Sequence, residues 1–261
     1  MKHIPNLFTL LNLFFGCLAI IFILQNGVVI LYSSDGNQYV DIPERIWMAS
    51  LFMGLAGLVD FLDGFVARLF KAATPMGKQL DSLADVVSFG VAPGMILYQF
   101  LRISYSRQMN GLDVSVFWIL PAMIIPCAAA YRLAKFNLDD SQQFGFKGLP
   151  TPAAGLLVAS LPLIYYSPSN SDQLAAAMLL NKWVLYAIIL VASWLMVSNL
   201  PLMALKFKDY SVRSNWPKLV LLFIALISAI FFKWLAVPVV FFFYILVSLF
   251  AAKFTAEKKN S

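Results

Sequence analysis

The sequence predicts an all-α fold, a polytopic integral membrane helix bundle of about eight transmembrane helices, from three observations. Of its 261 residues, 61% are hydrophobic and only 12% charged, against about 45–50% and about 25% in soluble domains. The apolar residues fall in runs long enough to cross about 30 Å of hydrocarbon, which takes roughly 20 helical residues. The charges gather between those runs, as they do in chains that cross a bilayer.

The expected spans are 7–31, 46–70, 82–106, 114–138, 150–167, 178–200, 217–232 and 235–252. The first follows Met1 and Lys2 as a signal peptide would, but it is longer than a signal peptide's apolar region and no small-residue cleavage site follows, so it reads as a span. Loop 32–45, with Asp35, Asp41 and Glu44, is a short outer connection, and 71–80, with Pro75 and Gly77, is a turn between antiparallel neighbours. The last two spans form one apolar run, about 35 residues or roughly 50 Å as a single helix. That is too long for a bilayer, so the chain folds back at Lys233 with Pro238 in the first turn of the final helix.

With eight spans both termini share one side. Fourteen of the 19 Lys and Arg residues fall on that side and five (Arg45, Arg102, Arg107, Lys182 and Lys233) on the other, which places both termini in the cytoplasm. The net charge of +6 is thus explained by cytoplasmic loops and calls for no nucleic acid. Residues 1–261 read as one transmembrane domain, with a catalytic core at about 1–200 and an extra C-terminal hairpin at about 217–253. The two cysteines, Cys17 and Cys127, lie in apolar runs and the one histidine, His3, in the N-terminal tail. Disulfide frameworks, His-ligated zinc and Ser-His-Asp triads are therefore not expected.

Acidic residues at membrane depth are costly and functional by default. Of the thirteen Asp and Glu residues, four fall within 60–85. Asp60 and Asp63 are three apart on the second span, Asp81 and Asp85 four apart at the start of the third, and both spacings put a pair on one helix face. Four carboxylates converging in a low dielectric repel or take up protons, and divalent cations relieve this. Oxygen ligands without His or Cys favour Mg²⁺ or Mn²⁺ over zinc, and two such ions side by side are a recurring device of phosphoryl transfer. Arg68 offers a guanidinium for a phosphate oxygen, while Gly64, Ala67 and Gly77 leave room for close approach to the backbone. Structural readings stand beside these: Gly64 as a helix-packing residue, and Asp63 with Arg68 as an ion pair.

Asp60, Asp63, Gly64, Ala67, Arg68, Gly77, Asp81 and Asp85 spell D-x2-D-G-x2-A-R-x8-G-x3-D-x3-D. This resembles the signature of the CDP-alcohol phosphatidyltransferases, membrane enzymes that move a phosphatidyl group from a CDP-linked lipid to an alcohol. The segments HIPNLFTLLNLFFG, FGVAPG (89–94), RLAKFN (132–137) and FKGLPTPAA (146–154) further resemble the phosphatidylserine synthases of the bacterial membrane-embedded type. The resemblance covers about residues 3–155.

The resemblance implies that Asp60, Asp63, Asp81 and Asp85 hold two Mg²⁺ or Mn²⁺ ions, with Asp85 also the general base. Asp60, Gly64, Ala67, Arg68 and Gly77 would line the CDP moiety. Asn6 and Thr9 would reach the cytosine or its ribose, or else cap the first helix. Arg132 and Lys135 would bind the serine carboxylate or the lipid phosphate, or else snorkel to headgroups, and Asn137 would contact the amino acid. The implied substrates are CDP-diacylglycerol and L-serine, the implied setting a homodimer in the bacterial cytoplasmic membrane, with its active site at the cytoplasmic face. Two other readings remain open: another acceptor, glycerol 3-phosphate or an inositol phosphate, and a cation transporter built on intramembrane carboxylates. A transporter's acids would sit near the bilayer midplane, often on repeated broken helices.

Overall fold

A computed structural model describes residues 4–25, 29–32, 38–41, 45–69, 74–107, 114–139, 146–167, 174, 177–203 and 212–260, with the side chains of most of them. The architecture is helical: α1 (Ile4–Leu24), α2 (Ile46–Leu69), α3 (Pro75–Val86), α4 (Ala92–Ser106), α5 (Ile124–Leu138), α6 (Thr151–Tyr165), α7 (Lys182–Val197), α8 (Val212–Phe232) and α9 (Ala236–Asn260). Two short antiparallel ribbons accompany them, β1 (Val29–Tyr32) with β2 (Gln38–Asp41) and β3 (Phe146–Lys147) with β4 (Pro201–Leu202). The expected loop 32–45 thus contains a hairpin strand, and the first span ends at Leu24 rather than at residue 31. Three of the four residues of the run Val29, Ile30, Leu31, Tyr32 are β-branched or aromatic, which suits an extended strand better than a helix.

Among the described residues, four stretches are long and apolar enough to cross a membrane: Pro5–Leu24, Ile46–Val66, Pro75–Ser106 and Asn215–Ala251. The last contains most of both final helices. It breaks at Lys233, whose φ of 47° is left-handed, followed by a single 3₁₀ turn, and Pro238 falls in the first turn of α9. Helices α8 and α9 then pack on each other.

Between these stretches the helices are shorter than expected. The 16 residues of α7 and the 15 of α6 span only about 22–24 Å at 1.5 Å per residue. The segment 114–138 begins with 3₁₀ turns at Val116–Trp118 and Leu120–Met123, and α5 forms only from Ile124. Pro121 sits in the second of these turns, where it interrupts regular α-helical bonding.

α3 and α4 are one continuous rod joined by a π-helical turn at Val87–Val91. The widened turn directly precedes Pro93, whose ring clashes with the carbonyl four residues back in a regular helix; here the Ala92 N–H reaches the Val87 carbonyl instead. This rod is the centre of the bundle: 67% of its most apolar stretch is buried, against 28% for α1, 33% for α2 and 17% for the α8–α9 pair. Phe89, Ile96, Leu97 and Phe100 form its inner face. Outward-facing Leu7, Phe14, Leu51, Leu58, Phe61, Phe223, Ile230 and Phe231 remain exposed, an apolar surface suited to lipid rather than water.

α1 and α2 pack closely, with Phe22 stacked on Phe52 at a centroid distance of 5.2 Å, and both helices bury small residues, Ala19 on α1 and Ala49 and Ala56 on α2. Small residues of this kind let membrane helices approach.

Candidate active site

The acid-bearing helices are not direct neighbours as the turn at 71–80 suggests. α1 packs against both α2 and α3, which approach each other little along their backbones. The carboxylates close the gap: oxygens of Asp60 from α2 and of Asp81 and Asp85 from α3 lie within 4.8 Å of one another. Asp63 stands one turn along from Asp60, and its charge bears on both Asp60 and Asp81. Asp63 and Asp85 are buried, Asp60 and Asp81 partly so. Three of the four predicted acids are therefore close enough to share a single ion, and the charge of Asp63 lies near them.

α3 starts earlier than expected. Thr74 takes the N-cap position with its hydroxyl accepting from the Gly77 N–H at 3.0 Å, and Pro75 follows at the first helical position, where its missing N–H costs nothing. Gly77 thus lies in the first turn of the helix, not in a loop. It faces α1: a Cβ there would stand 3.1 Å from the Asn6 side-chain oxygen and 3.1 Å from the Thr74 hydroxyl. Asn6 and Gly77, predicted separately, adjoin.

Neither Asn6 nor Thr9 caps α1, since the helix begins at Ile4 and both lie inside it. The Thr9 hydroxyl donates to Asp63. One turn further, Asn12, absent from the expected set, donates from Nδ2 to Oδ1 of Asp85 at 3.3 Å. Asn6, Thr9 and Asn12 recur every three residues, so one face of α1 lines the acid cluster with polar groups. That spacing inside an apolar helix was the available signal for Asn12.

α5 supplies Arg132, which is buried, stacks on the Phe136 ring 4.9 Å away, and directs its charge at Asp85 and Tyr244. Lys135 takes another direction, donating to Asn199 Oδ1 at 2.7 Å. Asn137 ties the end of α5 to α3: its Nδ2 donates to Ser82 at 2.8 Å, and its carbonyl accepts from Lys78 at 3.1 Å. Gly64 lies on α2 between the acids and the helix end. The side chains of Ala67 and Arg68 lie outside the described residues, although their backbone belongs to α2.

The cluster fits a metal ion. Its donors are all oxygen, the choice of a hard divalent cation. Three carboxylates within 4.8 Å of each other are poorly disposed to remain ionised without a cation. Among the described side chains, Arg132 faces one of them, and one guanidinium does not balance four acids.

The sequence profile of the CDP-alcohol phosphatidyltransferase family matches residues 2–205, which contain every residue of the cluster. The chain belongs to this family.

Among its relatives are the CDP-diacylglycerol–serine O-phosphatidyltransferases of Helicobacter pylori strain J99, 32% identical over 176 residues, 65% of this chain and 63% of that one, and of Bacillus subtilis, 33% identical over 171 residues, 63% and 78% of the two chains. The archaetidylserine synthase of Methanothermobacter thermautotrophicus is 31% identical over 179 residues, 68% and 63% of the two chains. The match thus spans less than two thirds of the Helicobacter protein's length. The family match ends at residue 205, so α8 and α9 fall outside it.

Proposed function

We propose that this CDP-alcohol phosphatidyltransferase transfers the phosphatidyl group of CDP-diacylglycerol to the hydroxyl of L-serine, giving phosphatidylserine and CMP. The observation that carries the reading is the convergence of the signature carboxylates from α2 and α3 on one spot. The serine acceptor rests on the names of the relatives and on the RLAKFN and FKGLPTPAA segments.

Asp60, Asp63, Asp81 and Asp85 would hold two Mg²⁺ or Mn²⁺ ions, which when bound supply charge neutralisation of the diphosphate. Asp60, Gly64, Ala67, Arg68 and Gly77 line the CDP moiety, with Arg68 taking a phosphate oxygen, and Asn6 and Thr9 reach the cytosine or its ribose. Thr9 orders Asp63 next to the nucleotide. Arg132 and Lys135 receive the serine carboxylate or the lipid phosphate. Asp85 takes the proton of the serine hydroxyl as that oxygen bonds to the phosphorus bearing diacylglycerol; the bond from that phosphorus to the CMP oxygen breaks, and CMP leaves with the electron pair. No enzyme nucleophile is needed.

The protein works as a single eight-span domain, a homodimer in the bacterial cytoplasmic membrane, with both termini and the site at the cytoplasmic face and the substrate's acyl chains in lipid. The Lys and Arg distribution supports this orientation. Glycerol 3-phosphate or an inositol phosphate as acceptor would call for more basic groups at the site than Arg132 and Lys135. A cation transporter is disfavoured by the family match.

The deciding experiment incubates purified protein with CDP-diacylglycerol and a panel of alcohols, following CMP and the lipid formed. CMP release that depends on serine is expected. Release that depends on a phosphorylated alcohol instead would overturn the acceptor, and none with any alcohol would overturn the enzyme reading.

A further inference from the structure

Asn12 is fully buried in an apolar helix, yet its amide is only half used. Nδ2 donates to Asp85 Oδ1 at 3.3 Å, while its own Oδ1 has no partner among the described residues. An unmet buried acceptor costs stability, and an apolar side chain of the same size would avoid that cost. The amide therefore serves something other than packing.

The surrounding contacts hold it in place. Ser88, three residues after Asp85 and inside the π-helical turn, donates from its hydroxyl to the Asn12 carbonyl at 3.1 Å. Gly16, one turn on, lets α1 come this close: a Cβ there would collide with the hydroxyl and backbone of Ser88. The main chain at Asn12 is thus clamped to the same helical segment that carries Asp85, and its side chain reaches back to that carboxylate.

We propose that Asn12 is the positioning residue for Asp85. This rests on the reading of Asp85 as the base: Nδ2 fixes one carboxylate oxygen and thereby sets the direction of the other toward the acceptor hydroxyl. Supporting hydrogen bonds of this type are generally worth 10–100-fold in activity.

The test is Asn12→Leu in the full-length protein, with kcat and KM measured by CMP release at saturating metal, and CDP-diacylglycerol binding measured directly. The expected result is a fall in kcat of about 10- to 100-fold, with binding and KM for CDP-diacylglycerol within about twofold of the unaltered protein. A merely structural role predicts loss of binding in step with kcat. If Asn12→Leu does not fold, Asn12→Ser, which is smaller and too short to reach Asp85, is read the same way. A kcat within about twofold of normal, or equal losses of kcat and binding, would overturn the proposal. Asp85→Asn assayed alongside separates the two ideas. Normal turnover in Asp85→Asn sinks the base assignment, whereas an inactive Asp85→Asn beside a fully active Asn12→Leu sinks only the role of Asn12.

Discussion

Thr9→Val is the sharpest probe of how α1 supports the acid cluster. The substitution keeps the side chain's shape and removes the hydroxyl that donates to Asp63. Thr9 is 2% and Asp63 7% exposed, so the bond is largely shielded from water. A hydrogen bond to a charged group contributes about 1.5–3 kcal/mol. If that free energy holds Asp63 in its ion-binding orientation, its loss weakens divalent-ion affinity roughly 10- to 100-fold. Isothermal titration of the purified protein with Mn²⁺, with CMP release measured across Mn²⁺ concentrations, reads this directly. Thr9→Ser, which keeps the hydroxyl, should stay close to the unaltered protein. A Thr9→Val protein that binds Mn²⁺ and turns over within about twofold of normal would refute the reasoning and return Thr9 to a packing role.

Further outcomes follow from the same geometry. Asp85→Asn should abolish CMP release while leaving CDP-diacylglycerol binding, checked by direct binding to purified protein. Thorough chelation should stop turnover, and Mn²⁺ or Mg²⁺ should restore it; activity indifferent to metal removal would be incompatible with the ion-binding role of the acids. Gly77→Val should weaken CDP-diacylglycerol binding by tenfold or more, because even a Cβ stands 3.1 Å from Asn6 and from the capping Thr74, and a branched side chain displaces both; the KM for the CDP-lipid reports it. Lys135→Ala tests whether a residue held by Asn199 at 2.7 Å serves the acceptor: a raised KM for serine is expected, and an unchanged one would limit Lys135 to joining α5 to the segment after α7.

The membrane character, the break at Lys233 and the placing of each acid pair on one helix face were legible because each depends on local pattern: run length, a charged residue inside an apolar stretch, and three- and four-residue spacings on a helix. The helix limits were less legible. Thr74 and Pro75 are an N-cap and first-turn pair, yet beside Gly77 they resemble a turn. The strand at Val29–Tyr32 is as apolar as the helix before it, and hydropathy alone does not separate them. The wedge of α1 between α2 and α3 was hidden for a different reason. It is a tertiary arrangement, and only the three-residue recurrence of Asn6, Thr9 and Asn12 hinted that this helix turns a polar face to the acids. Arg132 and Lys135 are three apart on one helix and look equivalent in sequence, yet one turns to Asp85 and the other to Asn199.

The central claim is that α2 and α3 aim their signature carboxylates at shared divalent ions. The most direct test is the anomalous difference density of a crystal soaked in Mn²⁺. The account predicts strong peaks in contact with Asp60, Asp81 and Asp85 and with Asp63 beside them; a crystal of active protein with no Mn²⁺ peak among these four side chains would contradict it.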